Sequence, residues 1–217
     1  MQRTLPPYLT QAEVRAMLDA CDPETQLRDR AVLEVLYSSA LRIGELIRLD
    51  LSDIDFGGRT LFIRQGKGKK DRVVPIGRVA AKLTRVYVMT KRVAAPSDAR
   101  SLFVDDMGNR MTPHGIARYV LAPAIRGARI QKHVTPHVLR HSCAIHLLEN
   151  GAGVREVQQL LGHAKITTTQ KYTNVVPIEL KKVHAASHPA EHRATPASVT
   201  PMRARGSRWD ALRRVDE

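Results

Sequence analysis

The sequence predicts a mainly α-helical α+β domain that carries one small antiparallel β-sheet. Apolar residues recur at helical spacing along most of the chain, whereas alternating and β-branched residues are concentrated in residues 53–76. Hydrophobic residues make up 43% of the 217 residues but aromatic residues only 4%, so we expect a core built mainly from aliphatic side chains.

Three helices are predicted before the sheet. Thr10 and Glu13 form the T-x-x-E pattern of a capping box, which begins the first helix. Residues 27–36 and 42–49 place apolar side chains near one face and predict the second and third helices. The small residues 38–41 separate these two helices.

Residues 53–76 predict the sheet itself. A pair of glycines makes the first turn, and residues 66–70, whose sequence is G-K-G-K-K, make the second. Residues 60–65 and 72–76 are the strands on either side of this second turn. The turn is unusually cationic.

Helices are predicted again after the sheet. Residues 79–91 are amphipathic, and residues 102–104 form a short apolar stretch before a glycine turn. Thr112 and Pro113 then give a helix-start signal, a capping residue followed by proline at the first helical position. Because proline removes a backbone donor, we expect Pro123 to interrupt this helix.

The strongest helix signal begins with Thr135-Pro136 and ends at the glycine after residue 150. Residues 154–161 form a further amphipathic helix, and residues 167–172 are expected to add one or two more turns. From residue 184 the composition shifts to Ala, Pro, Ser and Arg, which is typical of a mobile segment.

The domain organisation follows from these boundaries. We expect an N-terminal extension over residues 1–8, one folded domain over residues 9–183 and a flexible basic tail over residues 184–217.

The formal net charge of +14 favours a polyanionic partner, a nucleic acid or an acidic membrane surface. Cys21 and Cys143 are too few for a disulfide framework and indicate buried thiols in a reducing compartment. The N-terminal residues lack the apolar segment of a secretory signal, and no apolar run is long enough to span a membrane. A cytoplasmic protein that binds nucleic acid is therefore the expected class.

A histidine and an arginine lie in the first turn of the helix that follows Thr135. Because His137 and Arg140 are three residues apart, their side chains share a helix face near the anion-attracting N-terminus. This pattern fits a phosphate seat; the alternative is a packing histidine beside a solvated arginine. His141 stands four residues after His137, as in zinc-protease helices, but Val138 replaces the required glutamate, so a metal site is not favoured.

Three further residues are ambiguous when each is taken alone. Lys67 lies in the cationic turn, which lacks the spacing of a nucleotide-binding loop and is most simply a solvated turn. His163 follows a helix end, and Tyr172 lies nine residues later. A phenol with a reference pKa of about 10 needs help to act as a nucleophile, so packing is the ordinary role for this tyrosine.

Four segments of the chain contain these residues in order. They are Y-S-S-A-L-R-I-G-E-L around Arg42, G-K-G-K-K-D-R-V-V-P-I around Lys67, T-P-H-V-L-R-H-S-C-A-I-H-L-L-E-N-G-A around His137 and Arg140, and L-L-G-H-A-K-I-T-T-T-Q-K-Y-T around His163 and Tyr172. Together they resemble the tyrosine recombinase or phage integrase family, Xer-like branch, over about residues 9–183. The resemblance implies the catalytic-domain fold of that family, a DNA breaking-rejoining fold, and the activity of a site-specific recombinase.

The resemblance implies that one residue forms a covalent bond with DNA and that two others transfer protons. Tyr172 would attack the scissile phosphorus and form a 3′-phosphotyrosyl bond with DNA. Lys67 would protonate the leaving 5′-oxygen as general acid, and His137 would assist proton movement as the base toward the tyrosine. No metal ion or nucleotide cofactor is implied.

The other three implied catalytic residues bind the phosphate. Arg42 and Arg140 would hold its non-bridging oxygens, because a planar guanidinium matches phosphate with paired donors. His163 would add a hydrogen bond to the same phosphate. Five residues are expected to contact DNA outside this set: Lys69, Lys70, Arg72, His141 and Lys165.

The implied partner is double-stranded DNA with a specific recombination site. The family works as a homotetramer on two paired sites, so we expect a tetramer on DNA, a monomer in solution and association with the nucleoid. Residues 177–183 are the expected segment exchanged between neighbouring protomers.

The sequence departs from the family pattern in four places, one of which is Pro123 within an expected helix. Only about eight residues precede the first helix, so we expect this chain to lack the N-terminal DNA-gripping (core-binding) domain of most relatives, either as a natural short form or as a truncated chain, and to bind DNA more weakly as a result. Ala40 stands where relatives often have glycine, and Gly44 where they often have serine.

Two other classes of function compete with the recombinase. One is a DNA-binding relic or regulator without turnover, against which the complete six-residue set argues. The other is a metal-dependent hydrolase that uses His137, His141 or His163, which lacks a carboxylate at ligand spacing.

Overall fold

The computed structural model describes residues 7–64, 71–162 and 178–192. The helices before the sheet are α1 (Gln11–Asp19), α2 (Leu27–Ser38) and α3 (Ile43–Ile47). The predicted capping box begins α1, because the backbone N–H of Glu13 donates to Thr10 Oγ1 over 3.2 Å and that of Thr10 donates to Glu13 Oε2 over 2.7 Å.

The sheet has three antiparallel strands in the order β1-β2-β3: β1 (Ile54–Asp55), β2 (Thr60–Ile63) and β3 (Arg72–Pro75). Leu61 in the central strand pairs with Ile54 on one side and Val74 on the other, and all three side chains are buried. The predicted combination of many helices and one small antiparallel sheet is confirmed.

The helices after the sheet are α4 (Arg78–Thr90), α5 (Pro113–Gly115), a π-helical segment (Ile116–Leu121), α6 (Ala122–Gly127), α7 (Pro136–Glu149), α8 (Val154–Leu161) and α9 (Ile178–Ser187). The threonine-proline start signals both hold, since Thr112 and Thr135 accept hydrogen bonds from backbone N–H groups of the first turn that follows. The predicted turns at residues 167–172 lie outside the described residues.

The prediction that Pro123 interrupts its helix is wrong. The chain continues from α5 through the π-helical segment into α6, and Pro123 is the second residue of α6. In a regular α-helix, proline presses on the carbonyl group four residues earlier and leaves it without a donor. The wider π turn just before the proline accommodates both effects, so the helix goes on.

Helix α2 forms the centre of the core, packed against α4 and α7. It is buried around most of its circumference, including the charged side chains of Arg30 and Glu34, which are 3% and 0% exposed. These two are paired over 3.1 Å, which offsets the cost of burying each charge alone. The C-terminal end of α2 leads through residues 39–41 directly to Arg42.

Residues 184–192, at the start of the expected tail, are among the described residues. His184 and His188 are buried, and a 3₁₀ turn (Pro189–His192) follows α9. His184 Nε2 donates to the carbonyl oxygen of Ser38 over 2.6 Å, at the end of α2 where helix carbonyls lack partners within the helix. This contact joins the first residue of the expected tail to the end of α2. None of the helices in the described ranges is long and apolar enough to span a bilayer.

Candidate active site

Three of the six expected catalytic residues lie in the described part of the chain, namely Arg42, His137 and Arg140. The other three, Lys67, His163 and Tyr172, lie outside the described residues. Of the expected DNA contacts, Arg72 and His141 are described, whereas Lys69, Lys70 and Lys165 are outside the described residues.

Arg42 is placed by the start of α3, where it is the N-cap residue with extended backbone angles. The loop before it contains Ala40, a non-glycine residue with a positive φ of 48°. The side chain of Arg42 is partly exposed, and its Nη1 donates to Glu45 Oε1 over 2.9 Å. The backbone N–H of Arg42 donates to the other oxygen of the same carboxylate, also over 2.9 Å.

Arg140 extends from α7 into the body of the protein and is only 6% exposed. Its two terminal nitrogens donate to the carbonyl oxygens of Ala40 and Leu161, which joins the loop before Arg42 to the end of α8. Burial, assisted by the nearby charge of Arg42, lowers the pKa of Arg140 to about 10, so the guanidinium keeps its charge at neutral pH.

Glu45 brings these arginines together. Its carboxylate is buried, and Arg72 donates to Oε1 and Oε2 over 2.9 Å each in a bidentate pair. Arg140 Nη1 is 3.9 Å from Glu45 Oε2. We call these four residues, Arg42, Glu45, Arg72 and Arg140, the arginine cluster.

Opposing influences act on the pKa of Glu45. Burial acts to raise this pKa, but hydrogen bonds and charges from Arg72 and hydrogen bonds from Arg42 outweigh burial and bring it to about 2. The carboxylate is therefore charged throughout the physiological range, and the cluster has a formal net charge of +2 from three arginines and one glutamate.

Arg72 reaches this cluster from β3 and lies against the end of α8. Gly162, the C-cap of α8, has a positive φ of 60°, and a Cβ atom at this position would lie 3.0 Å from Arg72 Nε. The guanidinium is thus enclosed by Glu45 on one side and by the α8 terminus on the other. The expected DNA contact by Arg72, whose side chain is 14% exposed, stays a prediction.

The two histidines of α7 lie in different surroundings. His137 is exposed in the first turn of the helix, which Thr135 caps by accepting from the N–H of Val138 over 3.3 Å. His141 is half-buried, and its Nε2 is buried without a hydrogen-bond partner among the described residues. An exposed His137 beside the inward-pointing Arg140 is compatible with a ligand that rests on the surface above the cluster.

Glu45 is the member of the arginine cluster that sequence reasoning missed. A signal for it existed, because Glu45 follows Arg42 by three residues at a helix start, the spacing at which a carboxylate reaches the N-cap backbone. The approach of Arg72, 27 residues later, carried no such local signal. Chemically, a positive, preorganised set of guanidinium groups suits an oxyanion such as a DNA phosphate.

The chain resembles known proteins over most of its length. The family model described as the phage integrase family matches residues 7–177. The chain is 40% identical over 196 residues to the tyrosine recombinase XerC of Myxococcus xanthus, covering 87% of this chain and 65% of the relative. It is 44% identical over 196 residues to the tyrosine recombinase XerD of Mycobacterium tuberculosis, covering 86% of this chain and 62% of the relative.

A solved structure gives the same result for the fold. The crystal structure of XerA recombinase superposes with a TM-score of 0.68 at 35% identity, over 84% of this chain and 65% of that one. The chain therefore spans somewhat less than two thirds of the length of the proteins it matches. Because the family model matches most of the chain, on residues that include the whole arginine cluster, the protein belongs to the phage integrase family.

Proposed function

We propose that this chain is a site-specific DNA recombinase that cleaves and rejoins DNA strands through Tyr172. The observation that carries the proposal is the convergence of Arg42 and Arg140 on one buried carboxylate, with Arg140 held by the backbone of Ala40, 100 residues earlier. The relatives named tyrosine recombinases XerC and XerD support the same activity.

The arginine cluster explains how such a reaction can proceed. Attack on a phosphodiester raises the negative charge on the phosphoryl oxygens from one to two, and fixed guanidinium groups stabilise that change without reorganising. Arg42 and Arg140 bind the non-bridging oxygens, and His163 adds a hydrogen bond to them. The carboxylate of Glu45 pairs with Arg42 over 2.9 Å and lies 3.9 Å from Arg140 Nη1.

The remaining catalytic residues move protons and make the covalent bond. The phenol oxygen of Tyr172 forms a bond to phosphorus while the bond from phosphorus to the 5′-oxygen breaks. The phenol proton passes to His137, and Lys67 gives a proton to the leaving 5′-oxygen. A phosphotyrosyl ester keeps the energy of the broken bond, so a second 5′-hydroxyl can reverse the step without ATP or a metal ion.

Repeated cleavage and rejoining on two duplexes exchanges strands through a four-way Holliday junction. We propose that the substrate is double-stranded DNA with a specific site and that the protein acts in the nucleoid. The proposed assembly on DNA is a homotetramer. Lys69, Lys70, Arg72, His141 and Lys165 are the proposed additional DNA contacts. Residues 177–183 are the proposed exchanged segment, although α9 packs against α7 and α8 of its own chain in this structure.

The test uses DNA whose sequence need not be known in advance. The protein is incubated in EDTA with a pool of nicked duplexes that carry a randomised core, and adducts that survive denaturation are recovered and sequenced. We expect covalent adducts enriched in one sequence family and joined at the 3′-phosphate side. Adducts that persist in Tyr172→Phe would remove the nucleophile assignment.

The main competing function is DNA binding without turnover. It predicts sequence enrichment among noncovalently bound duplexes and no denaturation-resistant adduct from the same pool. Because both readouts come from one incubation, the experiment decides between the two functions directly.

A further inference from the structure

Arg72 occupies a position in the arginine cluster that the six expected catalytic residues do not account for. Its side chain is 14% exposed, and its two terminal nitrogens donate to both oxygens of Glu45 over 2.9 Å each. The Nε edge of the same guanidinium lies against Gly162 at the end of α8, and Nε has no hydrogen-bond partner within the described residues. Arg72 is therefore partly buried, and both of its terminal nitrogens pair with one carboxylate.

The position of Glu45 makes this pairing important for the phosphate-binding arginines. Glu45 Oε1 is 2.9 Å from Arg42 Nη1, and Oε2 is 3.9 Å from Arg140 Nη1. A buried carboxylate at this point has the same donors within reach as an incoming phosphate. Unless another cation pairs with Glu45, its carboxylate competes with the phosphate for the donor groups of Arg42 and Arg140.

We propose that Arg72 is a positioning residue for the proposed DNA cleavage reaction, which acts by holding Glu45 so that Arg42 and Arg140 stay available to the phosphate. The bidentate pair fixes both carboxylate oxygens, and the α8 terminus behind Arg72 prevents the pair from rotating. This inference rests on the proposed function. Arg72 also keeps the cluster at a net charge of +2 rather than +1, which suits a transition state with two negative charges.

The competition model makes a prediction that an ordinary structural ion pair does not make. If Arg72 restrains a competing carboxylate, then removing the charge of Glu45 rescues the loss of Arg72. If the pair only holds the fold together, removal of the second partner leaves the damage unchanged or increases it. The sign of the second change therefore separates the two roles.

The experiment measures single-turnover rates of covalent adduct formation on a site recovered from the randomised pool. The proteins are wild type, Arg72→Met, Glu45→Gln and the double variant. We expect Arg72→Met to slow adduct formation by ~10- to 100-fold, since one preorganised charge at such a site contributes about that much. The double variant is expected to react at least about threefold faster than Arg72→Met alone.

Two controls keep the outcome independent of folding. Arg72→Lys keeps the charge without the bidentate fork and is expected to lose less rate than Arg72→Met. Arg110→Met removes a comparable, partly buried arginine that pairs with Asp50 over 2.6 Å. Adding Glu45→Gln to Arg110→Met is expected not to raise the rate of adduct formation. Thermal unfolding of every variant defines the temperature at which all are folded.

The inference is overturned if Arg72→Met retains the wild-type rate, or if the double variant is as slow as Arg72→Met or slower. If wild type forms no adduct on any duplex, the proposed function fails instead. The same four proteins are then compared by fluorescence anisotropy for affinity to duplex DNA. If the double variant binds DNA more tightly than Arg72→Met, the result still supports the restraint of Glu45 by Arg72. If it does not, the inference is rejected.

Discussion

Arg140 donates a hydrogen bond to the carbonyl oxygen of Ala40, and Ala40 has a left-handed backbone with φ of 48°. The two features are linked, because the left-handed turn at Ala40 directs this carbonyl toward α7 at the end of the loop that carries Arg42. The position at which relatives often have glycine is thus held by alanine in a conformation that favours glycine.

The first prediction concerns this turn. Ala40→Gly should change the free energy of unfolding by less than about 1 kcal/mol, because relief of backbone strain is offset by loss of a buried methyl group and by added chain entropy. Ala40→Val should destabilise by more than about 2 kcal/mol, since a β-branched residue rarely adopts positive φ and Ala40 has no exposed surface. Urea unfolding checks both values, and equal stability of the two variants would contradict the prediction.

The second prediction concerns the pH dependence contributed by Glu45. Its pKa is lowered from 4.5 to about 2, so the stability it contributes is fully present above pH 4.5 and is lost as the pH falls toward 2. Glu45→Gln removes this contribution, which is on the order of 3 kcal/mol from the size of the pKa shift. The difference in unfolding free energy between wild type and Glu45→Gln should therefore narrow as the pH is lowered through this window.

Urea unfolding at a series of pH values measures that difference. Glu24→Gln, at an exposed site, is the matched control and should differ from wild type by a small, nearly constant amount. A gap between wild type and Glu45→Gln that stays constant from pH 5 to the lowest accessible pH would argue against a strongly lowered pKa.

The third prediction concerns a buried hydrogen bond between α2 and α7. Tyr37 Oη and His146 Nδ1 are 2.8 Å apart, and both residues are buried. Burial lowers the pKa of His146, so the ring stays neutral at physiological pH. Tyr37→Phe leaves this nitrogen without its partner and should destabilise the fold by about 1–3 kcal/mol. Tyr119→Phe, at a side chain that is 63% exposed, should have no measurable effect on urea unfolding.

The fourth prediction concerns the attachment of the C-terminal turn. Glu191 accepts from Arg59 Nη1 over 2.8 Å and from the backbone N–H of Arg78 over 3.1 Å. Glu191→Ala removes both contacts, so amide hydrogen exchange in residues 184–192 should become faster while exchange in α2 stays slow. Glu24→Ala serves as the control and should leave the exchange of residues 184–192 unchanged.

Local signals in the sequence determined a large part of this protein. The capping box of Thr10 and Glu13, the cap at Thr135 and the confinement of strand patterns to residues 53–76 each depend on residues a few positions apart. Interactions of this range form in the same way wherever the segment lies in the fold, and the structure reproduces them. The prediction that Arg42 and Arg140 bind phosphate also comes from the sequence, through segments that resemble a family, and stays a prediction.

The tertiary structure alone decided which residues far apart in the sequence contact one another. The pairing of Glu45 with Arg72 spans 27 residues, and the contact of His184 with Ser38 spans 146. No periodicity or cap specifies such contacts, because they exist only after the helices have packed and removed the charges from water. Burial then gives these pairs their strength, and it makes Glu45, an ordinary charged residue in the sequence, the point where three arginines meet.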